Sequence, residues 1–225
     1  MTLDEIRSLL DAMPPNEDEI IQQGNLLDLN NRSVEFKIHH GWDIAHGNLC
    51  DKLWGEFNIK LLRHVRDNCQ DENLLEAEIS NLSLEDSHWE WFKKSIAYRT
   101  DEYHWFFLSA DSKPQGACLI YHPKQSIFDK GNIFYIEYLA VAPWNRQNPM
   151  SNKQFSGIGS ILIKSAIAYS CNALRLRPGF SLHSLPKAKT YYERIGMQHF
   201  PSLDKDQLNY FEMVEAKAAQ YAGAI

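Results

Sequence analysis

The residues with the clearest chemical potential are two glycines one residue apart, Gly157 and Gly159, within Gln154-Phe155-Ser156-Gly157-Ile158-Gly159. They follow a run ending Leu139-Ala140-Val141 that reads as a buried strand, and they open an apolar run that reads as a helix. Two positions without Cβ at a helix N-terminus let backbone N–H groups approach an anion closely, and the positive end of the helix dipole adds to the attraction. The chemistry implied is the holding of a phosphate-bearing ligand by main chain. A nucleotide P-loop is excluded, because Gly159 is followed by Ser160-Ile161 rather than Lys and Ser or Thr. The dinucleotide fingerprint is excluded too, because Leu162 stands where its third glycine belongs.

An Arg/Gln-x-x-Gly-x-Gly segment after a strand resembles the acyl-CoA signature of the GNAT superfamily of N-acyltransferases. A second segment strengthens that resemblance. Ala188-Lys189-Thr190-Tyr191-Tyr192-Glu193-Arg194-Ile195-Gly196-Met197 fits the superfamily's Ala-x-x-(Phe/Tyr)-Tyr-x-x-x-Gly-(Phe/Met) pattern position by position. Both motifs stand in the superfamily's order, with the strand-like Phe180 to Ser184 between them and the aromatic Leu208 to Met213 after them. The resemblance covers roughly Tyr103 to Met213, and the first hundred residues carry no motif that matches.

The resemblance implies an α+β fold with a mixed, mostly antiparallel sheet flanked by helices. It implies acetyl-CoA as acyl donor and a primary amine, on a small molecule or a protein, as acceptor. Backbone around Leu139, Ala140 and Val141 would pair with the pantetheine arm. The amides of Gly157, Ile158, Gly159 and Ser160 would take the pyrophosphate, with Gln154 contacting phosphate or ordering the loop. Tyr192 would protonate the departing thiolate while Tyr191 points into the core. Glu137, the single acidic residue of its strand, is the first candidate for the base, since a carboxylate in apolar surroundings has a raised pKa; His183 is the second, and the resemblance leaves a chain of waters as a third. Where the superfamily often has Asn, this chain has Leu185, which puts one customary cofactor contact in doubt; Ser184 could serve there.

Other elements must position these groups. Leu3, Ile6, Leu9 and Leu10 fall at helical spacing, Pro14-Pro15 ends that segment, and a second helix is expected over Asn16 to Leu27. Residues 1–32 are thus read as an N-terminal helical extension, and 33–225 as the acetyltransferase domain with its motif-bearing core at 103–213. Ser33 to Ile38 reads as a first strand and Ile44 to Val65 as one or two helices. A further helix is expected to open at Ser83, with Asp86 in the capping-box position, and to run to Ala97. Strands follow at Tyr103 to Ala110, Gln115 to Tyr121 and Ile133 to Val141, the first two forming a hairpin. Ile158, Ile161, Leu162, Ile163, Ala166 and Ile167 give a mostly buried helix. Thirteen residues, 144–156, separate Pro143 from Gly157, a longer connection than is usual for the superfamily.

Composition narrows the function classes. The chain has 225 residues, 44% hydrophobic, with six Trp, ten Tyr and eleven Phe, enough for a real core. The lack of a long uncharged apolar run, and of a basic and apolar block at the start, argues against a membrane span and a secretory signal and for a cytoplasmic protein. A net charge of −6 weighs against broad nucleic-acid binding and suits a cationic amine acceptor. Cys50, Cys69, Cys118 and Cys171 lack the paired spacings of zinc sites, and His39, His40 and His46 have no i,i+4 partner, so no metal is expected. Homodimerisation is left open. Two competing functions are a GNAT-shaped acyl-CoA sensor without turnover and, disfavoured by the acidic balance, a toxin-type acetyltransferase acting on aminoacyl-tRNA.

Overall fold

The computed structural model describes residues 2–11, 13 and 19–223. Its elements run α1 (Leu3–Leu10), β1 (Ile20–Leu27), β2 (Ser33–His40), α2 (Ile44–Asn68), α3 (Glu72–Asn81), α4 (Trp91–Ala97), β3 (Tyr103–Ala110), β4 (Lys113–Gln125), β5 (Asn132–Val141), α5 (Ile158–Asn172), β6 (Phe180–Ser184), α6 (Lys189–Arg194), β7 (Gln198–His199), β8 (Asn209–Met213) and α7 (Glu215–Ala222). The eight strands lie in the order β1-β2-β3-β4-β5-β6-β8-β7, mixed and mostly antiparallel, with β5 and β6 parallel. The α+β class expected from the sequence is the class observed.

The chain divides into two compact units, and strands β3, β4 and β5 each contribute residues to both. The first comprises residues 1–99, 107–116 and 140–158. In it β1 and β2 form a hairpin whose turn is built by one side chain: the Asp28 carboxylate accepts from the backbone N–H of Asn30 and Arg32 and from Arg32 Nε. Asn31 takes the left-handed conformation there, φ +58°. Ile20–Leu27 is therefore a strand and not the helix expected over Asn16 to Leu27; Asn16 to Asp18 and Pro14-Pro15 lie outside the described residues. IIQQGNLL lacks alternation, and its pairing with β2, Leu26 opposite Val34, decides the conformation.

Asp43 caps the 25-residue helix α2 through the N–H groups of Ala45 and His46. Leu61 and Val65 on α2 pack with Leu82, Ile79 and Leu75 around α3 and with Met150. The helix expected from Ser83 begins instead at Trp91. Asp86 is drawn away from any capping role by Arg146, and the amides of Trp91 and Phe92 are capped by Asp51 from α2.

The second unit comprises residues 100–106, 117–139 and 159–225. Phe134, Phe180 and Phe211, on three neighbouring strands, are fully buried, and so are Leu162, Ile163 and Ala166 of α5. Glu212 on β8 is a carboxylate only 1% exposed, and it accepts from Ser126 Oγ, the Ile127 N–H and the Tyr210 hydroxyl, so it enters the core fully bonded.

Candidate active site

Strands β5 and β6 begin side by side and then part. Their parallel register pairs Phe134 with Phe180, Tyr135 with Ser181 and Ile136 with Leu182, and stops there. β5 runs on through Glu137 and Leu139 to Val141, and β6 to Ser184, which is still paired with Asn209 of β8. The second unit thus contains a split between two parallel strands, opening after Ile136 and Leu182. Glu137 and Leu139 lie along one arm of it, and His183 and Ser184 along the other.

Beyond β5 the chain enters the 144–156 connection, which is firmly built. Gln115, buried at the start of β4, accepts from Trp144 Nε1 and Asn145 Nδ2 at 2.8 Å each and donates to the Ala110 carbonyl. Asn145 Oδ1 in turn accepts from the Phe155 N–H at 2.9 Å, and the Gln154 N–H donates to the Trp144 carbonyl at 3.2 Å. Arg146 forks onto the Asp86 carboxylate and also donates to the carbonyls of Val141 and Ser83. The Val141 carbonyl is therefore occupied by a guanidinium. These contacts deliver the chain to Gly157, whose φ of +82° is a conformation other residues rarely adopt. A Cβ there would meet nothing within 4 Å. Gly159 and Ser160 sit in the first turn of α5, where backbone N–H groups have no helical partner.

In the second unit the Ser160 hydroxyl is 2.9 Å from the Tyr191 hydroxyl, which is 2.9 Å from that of Tyr221 on α7. The two tyrosines of α6 exchange the environments expected for them. Tyr191 is half-buried within this hydroxyl chain, while Tyr192 is 7% exposed, its ring against Tyr191 and Phe211. Burial raises both phenols well above their ordinary range, so both stay protonated and able to donate.

Glu137 is half-buried on β5, two residues beyond Tyr135 and so on the same sheet face. Tyr135 places its hydroxyl 2.6 Å from His183 Nδ1, and His183 Nε2 lies 3.0 Å from the Leu203 carbonyl. Both nitrogens of His183 are engaged. Ala140 and Ile158 are buried in the first unit, together with half-buried Val141 and Gln154. Tyr135, Arg146 and Gln115 escaped the sequence reading. The signal available for Tyr135 was its place two residues before Glu137; for Arg146 and Gln115 no local pattern exists, because their partners lie 30 to 60 residues away.

Among the described residues no group of three or more His, Cys, Asp or Glu side chains could hold a metal ion, and no helix is long and apolar enough to cross a membrane. No family model matches the sequence, and no curated protein matches it. Solved structures do. The GNAT domain of S. lividans PAT is 9% identical, with 85% of this chain and 96% of that one covered and a TM-score of 0.50. The chain has the GNAT fold. An uncharacterized Bacillus halodurans protein is 12% identical over 92% of this chain and 96% of that one, TM-score 0.49. The PaiA N-acetyltransferase of Thermoplasma acidophilum, solved with coenzyme A, is 12% identical over 78% and 97%, TM-score 0.46.

Proposed function

We propose that this protein is an acyl-CoA-dependent N-acyltransferase that moves an acetyl group from acetyl-CoA to a primary amine by direct attack on the thioester. The observation that carries the reading is the parallel β5–β6 pair that stops at Ile136 and Leu182, on a chain whose β5 leads to a glycine turn and the N-terminus of α5. A parted strand pair offers one arm for an extended ligand to add to as a strand would, and a helix N-terminus offers amides to its phosphates. In this reading the pantetheine arm lies along Leu139, Ala140 and Val141. Since Arg146 already occupies the Val141 carbonyl, pairing at that residue goes through its N–H.

Gly157, Ile158, Gly159 and Ser160 take the pyrophosphate, and Gln154 orders the turn or touches phosphate. Glu137, His183 or a chain of waters takes the proton of the incoming ammonium, and Tyr192 returns a proton to the thiolate. A net charge of −6 favours a cationic acceptor. Calorimetry with acetyl-CoA, followed by a thiol-release screen against polyamines, amino acids, aminoglycosides and peptide N-termini, tests the proposal. Binding with release supports it; binding with no release against any amine supports an acyl-CoA sensor; a folded protein that does not bind acetyl-CoA overturns the site.

A further inference from the structure

The hydrogen bond between Tyr135 and His183 stands at the mouth of the split. Tyr135 precedes the last β5–β6 pair by one residue and His183 follows it by one. The registers place Tyr135 and Ser181 opposite each other, and His183 opposite Tyr210, so all four share one face of the sheet with Glu137. Proton positions on the imidazole follow from its partners. The Leu203 carbonyl can only accept, so Nε2 carries the ring proton; Nδ1 of the neutral ring then accepts, and the Tyr135 hydroxyl donates to it.

The surroundings maintain this state. His183 is half-buried, with the Tyr210 ring 5.1 Å away and Asp204, Lys205 and Lys124 as its charged neighbours; burial, the dominant influence, holds it below the ordinary histidine range. Tyr135 faces Glu137 and Tyr210, and burial, seconded by the Glu137 carboxylate, keeps its phenol protonated. At neutral pH the pair is an uncharged phenol donating to an uncharged imidazole.

We infer that Tyr135 and His183 form a two-step proton relay for the acceptor amine, an inference that rests on the acyltransferase reading. Glu137, on the same strand face, draws a cationic ammonium to the phenol. One ammonium N–H bond breaks and its proton passes to the Tyr135 oxygen, while the phenol's own proton passes to His183 Nδ1. The amine lone pair so freed attacks the thioester carbonyl. As the C–S bond breaks the thiolate takes its proton from Tyr192, and the second N–H proton that the amine gives up in becoming an amide passes through water to the Tyr192 oxygen. His183 is left as imidazolium and returns its proton to water, and Tyr135 ends as it began. Tyr135 is the group that touches the substrate, and His183 acts through it.

The test uses the full chain with acetyl-CoA and whichever amine of the panel releases thiol fastest. Tyr135→Phe keeps the ring and removes the relay, so kcat/KM should fall about 10²-fold or more while acetyl-CoA affinity stays at the wild-type value. The wild-type profile should lose activity as pH falls through the imidazole's lowered range, and that limb should vanish in Tyr135→Phe. His183→Ala should lose a similar amount, and the double variant no more than either single one, because a broken relay is broken once. Full activity in Tyr135→Phe, losses that add in the double variant, or a retained imidazole limb overturns the relay and leaves the acyltransferase intact. A wild-type protein that binds acetyl-CoA but releases no thiol with any amine overturns the acyltransferase reading, and the relay with it.

Discussion

Gly157 combines a left-handed backbone with open space around its missing Cβ, and the two properties can be separated by mutation. Gly157→Ala should fold, losing about 1–2 kcal/mol to backbone strain. Its added methyl group, clear of the protein, would project into the room that phosphate oxygens need. Acetyl-CoA affinity should therefore fall at least about 10-fold, a loss beyond what the small drop in melting temperature explains. Unchanged affinity by calorimetry in the folded variant would remove the phosphates from this turn. Tyr192→Phe should cut kcat by about 10²–10⁴-fold with acetyl-CoA affinity little changed. Tyr191→Phe should do the opposite, losing about 1–2 kcal/mol of stability with the bonds to Ser160 and Tyr221. The motif singles out this tyrosine pair, but adjacent helix positions differ by about 100° in direction. A six-residue helix has too little periodicity to say which ring faces inward. That is why the burial of the pair was read the wrong way round from sequence.

Elements whose shape comes from their own residues were legible, and elements whose shape comes from distant partners were not. Apolar runs and the glycine turn are local signals that predict β5 and β6 almost to the residue and α5 from its first residue, Ile158. The sequence predicts a helix over β1 and places the cap of α4 at Ser83 instead of Glu90, because the β2 ladder and the carboxylate of Asp51 decide them from elsewhere. Arg146 shows the energetic side of this dependence. Its side chain is 19% exposed and that of Asp86 10%, so removing the guanidinium leaves a carboxylate and two carbonyls in poor contact with water. Arg146→Ala should cost about 3 kcal/mol, measured by urea unfolding. It should also open the 144–156 connection to trypsin at Lys153 under native conditions. Arg146→Lys keeps the charge but cannot fork onto Asp86, so it should recover only part of the loss. A full recovery would mean that charge alone holds the connection.

The whole molecule carries a built-in report of its own cohesion in its four free cysteines. Cys50 is fully buried in the first unit and Cys118 in the second, and burial pushes both thiols up, so native protein should react with a thiol reagent only at half-buried Cys69 and Cys171. Strands β3, β4 and β5 each supply residues to both units, so neither unit is a continuous piece of chain that could unfold while the other keeps its strands whole. Pulsed thiol labelling across a urea series, read by mass spectrometry, should therefore expose Cys50 and Cys118 at the same midpoint. Acetyl-CoA that binds only the native state raises the free energy of unfolding by RT ln(1 + [L]/Kd), about 2.7 kcal/mol at a hundredfold excess over Kd. Both midpoints should then move up together, by the amount set by the affinity measured in calorimetry. Separate midpoints without ligand would show two independently folding units, and midpoints that acetyl-CoA leaves in place would show that it does not bind the native state.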